Sequence, residues 1–425
     1  MMCQTNEKEE IYSHDWFHPG LGRTHIEGSV PMDRSLLKDI PIYSQSYLNG
    51  HFPILEKSDI ARSFPDGFMT DRVKNALQSG DAEYVITTGT NHDRMQLIRP
   101  PFFLLKQYFK LWSQHPSISH SYHDGCMRLS LTTYRATQHV SKAIDPTAQE
   151  RTFGERTLYL NKSFDPADWD EKEMKRMVKE IEERHPYHLD VDPFYLALFV
   201  KKLKRLNLWK DFPHPRSIIH AYEFCQKAVS DYLCESFSCP IVNLFGSTEL
   251  GLLFSTMKDQ PMIPYLDDIE LELIPVAHNS SIYNLIVTTM RNPFMPLIRY
   301  KSGDLVETID DSADPKKIWR ASGREKEIIY LSSKKPLAHA TFDDLIHEMS
   351  SDIFHYQLEL TDSRPRFTYT TFSDQALMQD TASDLTRSLE ELLETPCPIS
   401  HEKRIAPVKS GKYAWQVKDG VSFDG

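Results

Sequence analysis

The sequence predicts an α/β protein: a large N-terminal domain followed by a small α+β domain at the C-terminus. Three observations predict it. The chain has 425 residues, more than one compact core supports. Its middle alternates segments of helical period with a short, continuous apolar run, and after Tyr330 the pattern changes to two strands and a helix.

Taken in order, residues 102–114, 171–184 and 226–235 place apolar side chains at helical spacing, whereas 241–245 is a run suited to a buried strand. Residues 269–274 and 282–289 are rich in β-formers and flank the polar stretch 277–281 with Asn279, so they predict a hairpin. Strands at 355–360 and 366–371, joined by a turn at 362–365, and a helix over 384–394 complete the small domain.

Composition narrows the function classes. Hydrophobic residues make up 40%, charged 26% and aromatic 11%, the balance of a folded chain. Acidic residues outnumber basic ones by 60 to 49, and the net charge of −11 opposes unselective attraction to nucleic-acid phosphates. No apolar run reaches signal-peptide or membrane-spanning length, so a cytoplasmic protein without a membrane partner is expected. Six cysteines without a Cys-x-x-Cys pair imply reduced thiols. Cys225, Cys234 and Cys239 with His214 or His220 match no common zinc spacing, and His347-Glu348 lacks the second histidine of a zinc-protease helix.

Three stretches carry chemistry. In the first, β-branched Val85 and Ile86 lead into Thr87, Thr88, Gly89 and Thr90, with Arg94 shortly after. Backbone N–H groups, hydroxyls and a guanidinium can wrap phosphate oxygens there, although a plain surface turn fits the same residues. In the second, a strand ends in Phe245, Gly246, Ser247, Thr248 and Glu249. It offers an aromatic ring for a base, hydroxyl donors and a hard carboxylate suited to Mg²⁺; a capped helix start is the plainer alternative. In the third, Arg299-Tyr300-Lys301-Ser302-Gly303-Asp304 follows a proline-kinked segment. Asp304 can accept both ribose hydroxyls, or serve as a turn residue or an ion-pair partner of Arg299.

These stretches together resemble the adenylate-forming superfamily of acyl-CoA synthetases, peptide-synthetase adenylation domains and luciferases, most nearly its phenylacetate-CoA ligase-like branch. Thr87 to Thr90 resembles the phosphate loop, Phe245 to Glu249 the Tyr-Gly-x-Thr-Glu motif, and Arg299 to Asp304 the Arg-Tyr-Arg-Thr-Gly-Asp motif. Gly323-Arg324-Glu325-Lys326 is similar to the interdomain hinge, and Ser410-Gly411-Lys412 to the segment with the mobile catalytic lysine. Residues 218–224 resemble the Gly-Ala-Glu-Pro segment that lines the adenine and acyl pockets. The pattern departs at His92, where a second glycine is usual, and at Phe245, where a tyrosine is.

The resemblance implies domains at 1–323 and 327–425 with a hinge at 324–326, Lys326 being the pivot. It implies attack of a carboxylate on ATP to give acyl-AMP and pyrophosphate, with Lys412, Thr248 and Glu249 catalytic and Glu249 holding Mg²⁺. Thr87, Thr88, Gly89, Thr90, Arg94, Tyr222, Glu223, Phe245, Gly246, Ser247, Asp304 and Arg324 are expected around the nucleotide, and Tyr134, His220 and Ala221 around a compact, aryl-type acid. Coenzyme A or a carrier protein is the expected acceptor. An amine, a phenol or a protein thiol, for which Cys397 is the candidate, stands as the alternative. A further alternative is a regulator of the same fold that binds nucleotide without turnover.

Overall fold

The computed structural model describes residues 34–87, 95–133, 143, 145–264, 269–277, 280–310, 312–331, 335–361, 364–418 and 421–422. They fall into two compact units. The first takes the described residues of Trp112–Asn243 and Lys326–Gly425, the second those of Ile11–Leu111 and Leu244–Glu325.

The second unit opens with three short helices whose ends are written locally. α1 (Pro41–Asn49) has proline at its start and stops at Gly50 in the left-handed region. α2 (Lys57–Ser63) opens on a reciprocal Glu56/Asp59 capping box, and α3 (Asp71–Ser79) on Thr70, whose hydroxyl accepts from Val73 N. Strands β1 (Glu83–Ile86) and β2 (Gln96–Arg99) then pair antiparallel, and α4 (Phe103–Gln114) follows.

In the first unit, the short helix α5 (Ser119–His123) precedes β3 (Met127–Leu131), β4 (Thr152–Phe153) and β5 (Thr157–Tyr159). Then come α6 (Glu171–Glu182), β6 (Tyr187–Val191), α7 (Pro193–Arg205), β7 (Ser217–His220), α8 (Lys227–Ser236) and β8 (Ile241–Ser247). The sheet runs β8-β7-β6-β3-β5-β4, parallel throughout except for β4. Leu129, Leu189, Val191 and Ile218 on its strands pack with Met174, Met177 and Ile181 of α6 and Leu196, Phe199 and Val200 of α7. Parallel strands joined by helices bury their faces in this way, and the expected α/β architecture is what forms.

The end of β8 from Leu244 on, β9 (Gly251–Thr256) and β10 (Ile263–Pro264) belong to the second unit. So does a four-stranded antiparallel sheet in the order β11 (Ile269–Pro275), β12 (Ile282–Thr289), β13 (Leu297–Thr308), β14 (Ile318–Arg324). The predicted hairpin is β11–β12, with Ile269 opposite Thr289. The proline-kinked segment resolves differently from expectation: a strand starts directly after Pro296, and Gly303 (φ 76°) and Asp304 lie inside it. Proline has no N–H to give a ladder, so the strand begins beyond it.

The C-terminal segment returns to the first unit. β15 (Ile329–Tyr330) and β16 (Pro336–Leu337) pair, and α9 (His339–Met349) follows. Then a five-stranded sheet forms in the order β19-β18-β17-β20-β21 from β17 (Ile353–Leu360), β18 (Arg366–Thr371), β19 (Ile399–His401), β20 (Gln416–Lys418) and β21 (Val421–Ser422). Helix α10 (Gln379–Leu393) begins five residues before the sequence predicts. Ser383 Oγ and Thr386 Oγ donate to the carbonyls of Gln379 and Ala382, so hydroxyl residues that read as a loop are folded back onto the helix. Phe342, Tyr356, Leu358, Phe367, Leu385, Leu389 and Trp415 make this segment's core. The compact units part at Glu325/Lys326 and divide the chain otherwise than into 1–323 and 327–425, grouping the C-terminal segment with 112–243.

Candidate functional site

Within the second unit, the end of β8 folds back sharply into β9. A Cβ on Gly246 would stand 2.2 Å from the Gly251 carbonyl oxygen, and one on Gly251 (φ 81°) 2.3 Å from Gln107 Oε1. Gln107 Oε1 accepts from Leu252 N at 2.8 Å, and Ser247 Oγ accepts from Leu250 N at 3.2 Å. The motif is therefore a strand–turn–strand, not a helix start, and its turn presents Thr248 and Glu249, both half-buried. The Phe245 ring lies 5.8 Å from that of Phe254. Gly246→Ala pushes a methyl into backbone, which yields least; it is expected to lower stability by roughly 1–3 kcal/mol, read as a fall in the urea midpoint.

Tyr300 OH donates to Glu249 Oε1 at 3.4 Å. Burial pushes the Tyr300 phenol well above its ordinary range, and the charges of Glu249 and Asp304 add to the rise. Asp304 is buried and pairs with Arg324 Nε at 3.0 Å across the β13–β14 ladder. Its ion-pair partner is thus Arg324, not Arg299, whose guanidinium binds Glu272 at 2.8 Å. Four of the expected residues or their motif neighbours, Glu249, Tyr300, Asp304 and Arg324, meet in one cluster.

Thr87 closes the β1–β2 hairpin: its N–H donates to the Met95 carbonyl and its Oγ1 accepts from Met95 N, both at 2.9 Å. Of the expected phosphate loop, only Thr87 is among the described residues. Thr88, Gly89, Thr90 and Arg94 lie outside the described residues, as does Tyr134.

Lys412 and residues 220–223 belong to the first unit. His220 ends β7 fully enclosed, and burial lowers its imidazole to about 4. Ala221 N donates to the Val191 carbonyl at 3.0 Å. Tyr222 takes φ 83°, strained for a side chain of this size, and its hydroxyl donates to Asp190 Oδ2 at 3.0 Å. Both carboxylate oxygens of Glu223 accept from Tyr413 N at 3.1 Å, immediately after Lys412. Lys326 is exposed in the single turn Glu325–Glu327, beside buried Glu327, which accepts from Trp415 Nε1 at 2.8 Å.

Two carboxylates of the first unit are passed over by motif reading, and one of them, Asp192, feels the charge of the lysine. Asp192 caps α7, accepting from Phe194 N and Tyr195 N at 2.9 and 3.3 Å. Burial pushes its carboxyl up to about 7, while those two N–H groups and the Lys412 ammonium draw it down. An Asp-Pro pair at a strand end signals such a helix start, and Asp192-Pro193 carries that signal. Beneath Tyr222, the Asp190 carboxylate pairs with the buried Arg128 guanidinium.

One expectation is corrected. Cys397 is fully buried in the C-terminal core and burial pushes its thiol up to about 11, so it is neither reachable nor a ready nucleophile. On helix α6, Glu180 turns inward to the buried guanidinium of Arg151 at 2.5 Å.

Among the described residues no group of three or more His, Cys, Asp or Glu is placed to hold a metal ion alone. Glu249 offers one half-buried carboxylate, which is the donor set Mg²⁺ takes when phosphates and water complete its shell. No helix among the described residues is long and apolar enough to cross a membrane.

No family model matches the chain. Protein CapK of Staphylococcus aureus is 23% identical over 212 residues, which are 49% of this chain and 46% of that protein; the match spans about half of each. Among solved structures, 2-hydroxyisobutyryl-CoA ligase in complex with R3-HIB-AMP superposes with a TM-score of 0.63 at 11% identity, over 90% of this chain and 86% of that one. Anthranilate CoA ligase AuaEII in complex with anthranoyl-AMP gives 0.52 at 13% identity, over 78% and 65%. The chain has the fold of the adenylate-forming CoA ligases.

Proposed function

We propose that this protein is an adenylate-forming ligase that joins a carboxylic acid to AMP and passes the acyl group to a thiol. The meeting of Glu249 and Asp304 around Tyr300, on a fold shared with enzymes captured holding acyl-adenylates, supports this reading most strongly. A carboxylate oxygen of the acid attacks the α-phosphorus of ATP; a P–O bond forms, and the bond to the β-phosphate oxygen breaks to release pyrophosphate. Negative charge grows on the nonbridging oxygens as the phosphorus becomes five-coordinate. The Lys412 ammonium and the Thr248 hydroxyl are the donors assigned to that charge.

Asp304, oriented by Arg324, accepts the ribose hydroxyls. Thr87, bonded to Met95, and the residues Thr88, Gly89, Thr90 and Arg94 are assigned to the β- and γ-phosphates. Phe245, Gly246 and Ser247 are assigned to the base, as is Tyr222, whose strained ring is 40% exposed. Mg²⁺ on Glu249, when bound, neutralises phosphate charge and templates the departing pyrophosphate. Residues 327–425 are assigned a swing about Gly323 to Lys326 that withdraws Lys412 and admits coenzyme A or the thiol arm of a carrier protein.

The acid is taken to be compact and of aryl type, after the phenylacetate-CoA ligase-like motifs. Incubation with ATP, Mg²⁺, coenzyme A and a panel of benzoate, phenylacetate, anthranilate and short hydroxy acids, read by mass spectrometry, tests the reading. One acyl-CoA formed per AMP is expected. AMP formed with an acyl-adenylate that coenzyme A does not discharge moves the acceptor to an amine or phenol, and ATP turnover to ADP refutes the proposal.

A further inference from the structure

The loop that carries Lys412 is closed on itself: Gly411 N donates to the Val408 carbonyl and Val408 N to the Lys412 carbonyl, both at 2.8 Å. Three side chains from elsewhere in the first unit grip its backbone. Tyr195 OH donates to the Gly411 carbonyl at 3.0 Å, Thr133 Oγ1 to the Ser410 carbonyl at 3.3 Å, and Glu223 accepts from Tyr413 N. Tyr195 is fully buried on α7, directly beyond the Asp192 cap, with Trp169 edge-on at 6.0 Å, so its hydroxyl stands on a rigid support. Gly411 has φ 88°, and a Cβ there would lie 2.0 Å from Thr133 Oγ1 and 2.7 Å from its Cβ. The seat therefore admits glycine alone, and all three grips fall on main-chain groups flanking one lysine.

We propose that Tyr195, Thr133 and Glu223 are positioning residues that latch the 408–413 loop so that Lys412 is presented for adenylation, and that this latch serves that half-reaction alone. The inference rests on the function proposed above. Main-chain grips fix where the loop sits while leaving the lysine side chain free, which is what a group acting on a substrate needs. Three modest bonds hold a loop firmly yet release it together, in keeping with a segment that must leave before thiol transfer. Glu223 thereby acquires a task different from contact with the nucleotide.

Tyr195→Phe keeps the ring and removes one grip. It is expected to lower kcat for acid-dependent exchange of pyrophosphate into ATP by about three- to tenfold, the worth of one neutral hydrogen bond, with KM for ATP within about twofold. Transfer from added acyl-adenylate to coenzyme A stays at the wild-type rate. Hydrogen exchange in the 408–415 peptide quickens in Tyr195→Phe and in Glu223→Gln. Equal slowing of both half-reactions, or unchanged exchange by both measures, overturns the latch. If no acid supports pyrophosphate exchange in the wild type, the functional reading falls, and peptide hydrogen exchange still judges the latch: quicker in the variants supports it, unchanged refutes it.

Discussion

Lys412→Ala is expected to lower the rate of adenylation by about a hundred- to a thousandfold, the effect of removing one donor aimed at charge that develops in a transition state. The expectation follows from the placement of the lysine. Gly411 closes a loop that leaves the Lys412 side chain outside the backbone grips, and Asp192, a carboxylate that feels the lysine's charge, is buried and already supplied with two N–H donors. The loss is expected in kcat, with ATP binding largely kept, because Asp304, Glu249 and the hairpin lie on the other unit. Single-turnover quench of labelled ATP with a permissive acid measures it. Lys412→Arg restores little, since a planar fork does not replace a compact ammonium.

The largest stability effect is expected at Arg128. Its guanidinium pairs with Asp190, and both side chains are essentially excluded from water, at 4% and 1% exposure. Asp190 also accepts from Tyr222 OH, and the Tyr159 ring lies 5.8 Å from the guanidinium. Arg128→Ala leaves a buried carboxylate without its cation, a change that costs about 3–5 kcal/mol. Replacing both partners, Arg128→Met with Asp190→Leu, removes the charge with its counter-charge and is expected to recover much of the loss. Urea unfolding of the single and double variants measures the coupling; equal midpoints for wild type and Arg128→Ala would show that the pair is not a buried network.

This network also shows where the sequence stops being legible. β3 reads Met-Arg-Leu-Ser-Leu and β6 Tyr-His-Leu-Asp-Val, an alternation that suggests one face toward water, yet both strands are enclosed. Trp112 stacks on His188 at 4.3 Å and donates to Ser121, whose hydroxyl meets that of Ser217, so polar side chains of the sheet are enclosed under a cover no strand pattern reveals. The helices 103–114, 171–182 and 227–236 were legible because each presents one apolar stripe or a cap. The residues Glu249, Asp304 and Arg324 were legible by motif, but the Tyr300 hydrogen bond to Glu249 joins a strand of an irregular ladder to a turn 51 positions away, which no motif states. Asp192 and Tyr195 escaped because their importance comes from a loop more than 200 residues away, as the Tyr195–Gly411 bond, 216 positions apart, makes plain.

Acid-dependent transfer of labelled pyrophosphate into ATP, compared between wild type and Lys412→Ala, tests the central claim most directly. The account predicts label in ATP only when a carboxylic acid is present, and its near disappearance in the variant. Label that enters ATP without any acid, or at the same rate without the lysine, would contradict it.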